Sequence, residues 1–115
     1  MNRFKNLGKH VSEKLYYSHA NNEEMNVKTL SESSYQTKGE NLILVKDVNS
    51  CNLVLDSTTT THIIIKALTS VNIKPLSGSI DEYFTEIELD RGACVEFYNV
   101  NGSWYILSSD GLKLN

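Results

Sequence analysis

Apolar residues are distributed unevenly along this chain. From Asn41 onward, short runs rich in β-branched and aliphatic side chains recur about every ten residues: 42–48, 51–56, 61–68, 70–75, 83–89, 93–100, 103–109 and 112–114. Turn-forming residues separate them, among them Asn49-Ser50, Ser77-Gly78, Arg91-Gly92, Asn101-Gly102 and Asp110-Gly111. Glycine, asparagine and aspartate tolerate the positive φ angles that tight turns need, so they punctuate strands. No 3.6-residue apolar period of useful length competes with this texture. The pattern predicts an all-β fold, a compact antiparallel sandwich or prism of about seven to eight short strands.

Asn101-Gly102 is the strongest short hairpin signal, a two-residue type I′ turn. It pairs Val100 with Ser103, Asn99 with Trp104, Tyr98 with Tyr105 and Phe97 with Ile106. A second hairpin is expected at Asp90-Arg91-Gly92, with Gly92 in the left-handed bulge position, Ala93 opposite Leu89 and Val95 opposite Ile87. Both turns put Ile87, Leu89, Val95, Phe97, Trp104 and Ile106 on one face, the expected core. The other face carries Glu86, Glu88, Cys94, Glu96, Tyr98, Tyr105 and Leu107. In Ile63-Ile64-Ile65 apolar side chains also point both ways, so that strand should be covered on both faces. A core of about 75 residues has little material for that. The pattern therefore predicts a homo-oligomer, with Tyr98, Tyr105, Leu107 and Ile64 on a subunit or ligand face.

Residues 1–40 read differently, as an extended N-terminal arm ahead of a 41–115 β domain. From Ser18 to Asn41 the apolar residues are too widely spaced to line one face. Ahead of them Phe4, Leu7, Val11 and Leu15 have the spacing of a short amphipathic helix, weakened by Gly8, and are the expected docking residues of the arm. The net charge is −3. Residues 1–40 hold six basic and five acidic side chains, and residues 41–115 five and nine, so a slightly basic arm precedes an acidic body. That balance argues against a dedicated nucleic-acid binder. No apolar run is long enough to cross a membrane as a helix, and the N-terminus has no secretory pattern.

Catalytic and metal-binding constellations are not apparent. His10, His19 and His62 show no HxH or HExxH spacing, and Cys51 and Cys94 form no CxxC pair, so no metal, cofactor or catalytic residue is expected. Each cysteine sits among strand residues, where a free thiol behaves as a small hydrophobe. Glu86, Glu88 and Glu96 share one face in the expected register but lack a second group for acid/base work. They read as a solvated or interface face. Tyr98, Tyr105 and Tyr83 suit a subunit interface, with sugar stacking as the alternative.

The order Ile63-Ile64-Ile65-Lys66, Val71-Asn72-Ile73-Lys74-Pro75, Gly78-Ser79-Ile80-Asp81, Ile87-Glu88-Leu89, Gly92, Cys94-Val95-Glu96-Phe97 and Gly102-Ser103-Trp104-Tyr105-Ile106-Leu107-Ser108 resembles a β module of phage tail, baseplate and head-fibre proteins. The likeness spans roughly residues 60–111. It implies a non-catalytic virion protein made in the host cytoplasm, a homotrimer joined to other virion proteins by its N-terminal arm. The chain lacks a long shaft or receptor-binding tip. That favours a decoration, adaptor or fibre-base subunit over a complete fibre, with a module binding a host surface glycan or receptor as the alternative.

Overall fold

The computed structural model describes residues 25–114, and all of their regular structure is β. The eight strands are β1 (Val27–Leu30), β2 (Ser34–Gln36), β3 (Leu42–Val45), β4 (Ser50–Leu55), β5 (His62–Ala67), β6 (Ser70–Pro75), β7 (Ile87–Val100) and β8 (Ser103–Leu114). The fold is all-β, but its single sheet is mixed where a purely antiparallel one was expected. It runs β1-β3-β5-β7-β6-β4-β2, with β8 added to β7. The pairs β1–β3, β3–β5, β2–β4 and β4–β6 are parallel, whereas β7 runs antiparallel to β5, β6 and β8.

The physical reason is a coil. A parallel neighbour needs a long crossover, usually a helix. Here β1, β3 and β5 lie on one wall and β2, β4 and β6 on the other, so β2 and β4 are the crossovers between successive odd strands. Three rungs result: β1–β2, β3–β4 and β5–β6. Val27 pairs with Leu42, and Leu42 with Ile64, advances of 15 (42 − 27) and 22 (64 − 42) residues. On the other wall Ser34, Asn52 and Asn72 advance by 18 (52 − 34) and 20 (72 − 52). The unequal steps hide the repeat from a search for a fixed period.

Stacking of equivalent positions builds the core. One wall contributes Ile43, Ile65 and Val95 in one ladder and Leu30, Val45 and Ala67 in another. The facing wall contributes Leu53, Ile73 and Ile87, then Cys51, Val71 and Leu89. All of these are buried in one cluster with Phe97 and Trp104, whose rings meet edge to face at 6.2 Å.

β7 closes the coil. Its first part, Ile87–Leu89, pairs with β6 and its later part, Cys94–Tyr98, with β5, so one strand passes from one wall to the other. This corrects the hairpin expected at Asp90-Arg91-Gly92. Gly92 has φ 95°, but the chain uses it to turn a corner rather than to reverse. A continuous strand supplies partners to both β5 and β6, which a local hairpin would leave unpaired. β8 follows β7 round the same corner through Gly111, at φ 77°. A Cβ there would lie 3.0 Å from the Ala93 methyl, so the approach of the two strands requires glycine.

Residues 25–40, read as part of an arm, supply the whole first rung. Propensity underrated them because their pairing is long-range and their strands are short. The residues expected to dock the arm, Phe4, Leu7, Val11 and Leu15, lie outside the described residues. Among the described residues the outer edges of β1 and β2 are unpaired. A polar plug guards them. Lys28 occupies the core-facing position of the ladder that continues as Ile43 and Ile65. Its ammonium lies 5.0 Å from the Tyr35 ring centroid and that of Lys38 lies 5.4 Å from it. The Tyr35 hydroxyl donates to buried Glu40 through Oε2, while the Lys38 N–H donates to Oε1 at 2.6 Å. A charged residue turned inward at an edge blocks further strand addition.

Candidate functional site

The type I′ turn at Asn101-Gly102, with φ 52° and 90°, produces the register its length dictates: Val100 with Ser103, Asn99 with Trp104, Tyr98 with Tyr105, Phe97 with Ile106. Ile87, Leu89, Val95, Phe97 and Trp104 are buried in the core, and Ile106 packs half-buried against it. On the face turned from the core, His62 pairs with Tyr98 across β5 and β7, and Tyr98 with Tyr105 across β7 and β8. The His62 and Tyr98 rings lie 5.8 Å apart. The Tyr105 hydroxyl donates to Glu82 Oε1 at 3.2 Å. A row therefore crosses three strands and ends on a loop: His62, Tyr98, Tyr105, Glu82.

The loop is a second type I′ turn. Asp81 and Glu82 have φ of 52° and 61°, and the Tyr83 N–H donates to the Ile80 carbonyl at 3.1 Å. It is fastened to the free side of β8 twice. The Asp81 N–H donates to the Trp104 carbonyl at 2.9 Å, and Asp81 Oδ1 accepts the Ile106 N–H at 2.9 Å. The turn leaves Tyr83 78% exposed, its ring edge-on to Phe84 at 5.1 Å. The negative charge of Glu82, then its hydrogen bond, raises the Tyr105 pKa above the usual tyrosine value. That phenol is a neutral hydrogen-bonding group at physiological pH.

Next to this row lies a polar trio. Glu96, only 2% exposed, pairs with His62 Nε2 through Oε2 and accepts the Ser108 hydroxyl at 3.0 Å through Oε1. Ser108 bonds to the carboxylate and not to the imidazole in this arrangement. The order nucleophile, base, orienting acid that activates a serine is therefore not assembled here. Glu96 is also parted from Glu88, which pairs with Asn72 on the opposite wall, and from Glu86, which accepts from the Asn72 amide at 2.8 Å. The shared acidic face expected from a local hairpin is split by the corner at Gly92.

Ile64 and Leu107, both expected on the contact face, differ in exposure. Ile64 is 1% exposed within one chain, beside Leu42 and Glu96, and needs no partner copy to cover it. Leu107 is the extra residue of a β-bulge: Phe97 pairs with Ile106 and Glu96 with Ser108, which leaves Leu107 between them, 57% exposed. Tyr98 stays 41% exposed. Both cysteines are free and buried, and burial raises each thiol pKa, Asp110 and Lys66 making smaller opposite contributions at Cys94. A thiol held protonated is a poor nucleophile and metal ligand. Among the described residues no group of three or more His, Cys, Asp or Glu side chains is placed to hold a metal ion.

Sequence reading missed Asp81, Glu82 and His62 as members of the row. Asp81 carried a usable signal, since aspartate tolerates the left-handed conformation. Compared with known proteins, the chain matches no protein-family model and no curated protein.

Proposed function

We propose that this chain is a structural subunit of a phage virion, a decoration, adaptor or fibre-base protein that joins its neighbours by strand pairing at the β8 edge. The sequence resemblance over residues 60–111 supports the virion setting. One observation supports the mode of assembly. β8 pairs only with β7 among the described residues, and the loop at Asp81 fastens its other side only as far as Ile106. The stretch from Leu107 to Leu114 thus offers backbone donors and acceptors to another chain. An unpaired edge is a template for strand addition. The bulged, exposed Leu107 gives that edge an apolar anchor.

The partners are further copies of the chain, as a trimer, and a neighbouring capsid or tail protein. Solution mass of the full-length protein, with electron microscopy of particles carrying or lacking it, tests the reading. An oligomer that Leu107→Lys weakens, together with density on the particle, is the expected result. A monomer at micromolar concentration that is also absent from particles would overturn it.

A further inference from the structure

We propose that the outward face of β3, β5 and β7 is the docking surface of this chain's own residues 1–24. The side chains turned away from the core form a ladder of their own: Val27, Leu42, Ile64, Glu96 and Ser108. Leu44, Lys66 and Cys94 run beside it. Such a face is ordinarily wet, yet Leu42 is 5% exposed, Cys94 8%, and Ile64 and Glu96 are as buried as the interior. Leu42, Ile64 and Cys94 nevertheless stand outside the core cluster, so something other than the core covers them. Lateral neighbours alone do not, because strands about 4.8 Å apart leave the tops of their side chains open. Among the described residues no strand lies over this face, since all eight belong to the one sheet. The loop between β6 and β7 is fastened beside Trp104 and Ile106, on the edge of β8 rather than over the face.

Place, size and charge select the occupant. The Asn26 carbonyl accepts the Asn41 and Leu42 N–H groups at 2.7 and 3.3 Å, so the chain enters β1 beside the strand that carries Leu42. Phe4, Leu7, Val11 and Leu15 make an apolar stripe 11 residues long (15 − 4), about 16 Å at helical rise. Val27 to Glu96 covers three strand spacings, about 14 Å. The first fourteen residues carry Arg3, Lys5, Lys9 and Lys14 against Glu13 alone, and the face buries the Glu96 carboxylate. A buried carboxylate favours a basic neighbour over an acidic one. A second copy is not required, because the burial exists within one chain. Residues 1–24 are thereby assigned to the chain's own sheet rather than to a neighbouring protein. The surface is separate from the β8 edge beyond Leu107 and does not depend on the proposed assembly.

Methyl NMR on the full-length wild-type protein tests the docking without any variant. Nuclear Overhauser contacts are expected between the methyls of Leu42 or Ile64 and at least one of Phe4, Leu7, Val11 and Leu15. A sample mixing labelled and unlabelled copies should show that they arise within one chain. No such contacts, or contacts between chains only, would overturn the assignment. A thiol reagent with mass-spectrometric readout gives a second measure, with core-facing Cys51 as the internal reference. In the full-length variant carrying Leu7→Asp and Val11→Asp, Cys94 should label roughly tenfold faster than in wild type while Cys51 stays protected. An unchanged Cys94 rate would also overturn it. Neither readout involves the β8 edge, so a failure here is distinguishable from a failure of the assembly.

Discussion

Replacing Tyr35 with phenylalanine isolates the polar plug at the open end of the coil. The ring and its two lysines remain, so the cation–π contacts persist. What is lost is the hydroxyl that donates to Glu40, a carboxylate almost wholly buried. A hydrogen bond to a charged group contributes about 1.5–3 kcal/mol, and Glu40 keeps its bond from the Lys38 N–H, so a loss of about 2 kcal/mol is expected. For a chain of this size that is roughly 8 °C in melting temperature.

The same bond has a pH signature. Burial first, then the bond to Glu40, push the Tyr35 pKa from 10.0 up to about 12. A pKa raised by folding gives stability that is complete below the unfolded value and lost as pH climbs through the folded one, here between pH 10.0 and about 12. Glu40 runs the other way. Burial alone would raise its pKa, but the bonds from Tyr35 and the Lys38 backbone outweigh it and hold the pKa below 4.5. Its contribution is present above that value and fades as pH falls through the folded one. Wild type and Tyr35→Phe should therefore differ most between about pH 4.5 and 10 and converge at both ends. Thermal melts across this range decide the matter. Equal melting temperatures at pH 7, or a gap that persists undiminished to pH 12, would refute the account of the plug.

Trp104→Ala should cost about 3–5 kcal/mol in chemical denaturation, because it empties a fully buried position against Phe97; a cost under about 1 kcal/mol would mean that Trp104 is not part of the core. Gly111→Val should destabilise by at least about 1–3 kcal/mol, from positive φ and the crowding of Ala93, whereas Gly102→Ala, with open space around its Cβ, should cost less in the same denaturation series. Lys28→Ile should extend the Ile43 and Ile65 ladder to the open edge and turn it sticky, so light scattering should report growing particles; an unchanged particle size would remove Lys28 as a guard.

How much of this was legible in the sequence depends on the range of the interactions involved. The Asn101-Gly102 turn fixes its register within a few residues, so the alternation along 95–106 can be read directly and Trp104 and Phe97 fall inward. At Gly92 the same local logic favours a hairpin, and nothing nearby signals that β5 and β6, some twenty to thirty positions upstream, both need the strand that passes through it. The first rung was hidden for a related reason. Leu30 is fully buried because it stacks on Val45 and Ala67, a relation without a sequence-local trace. The row at His62 belongs to the same class. His62 and Glu82 are twenty positions apart, and β7 and β8 bring them to the ends of one row.

The coil also explains why its two ends should behave differently toward partners. At the first rung, a lysine sits in a core-facing position and tyrosine stacks under two ammonium groups, which makes strand addition costly. At the last, β7 seals the apolar ladders of both walls, and among the described residues the outer side of β8 meets the Asp81 turn from Trp104 to Ile106 and no strand beyond it. In the proposed assembly, growth by edge pairing would be directed to this end, the one that also displays the tyrosines. A copy added at β8 beyond Leu107 would leave the Tyr83 side of the row open, since the turn that presents Tyr83 occupies the β8 edge from Trp104 to Ile106.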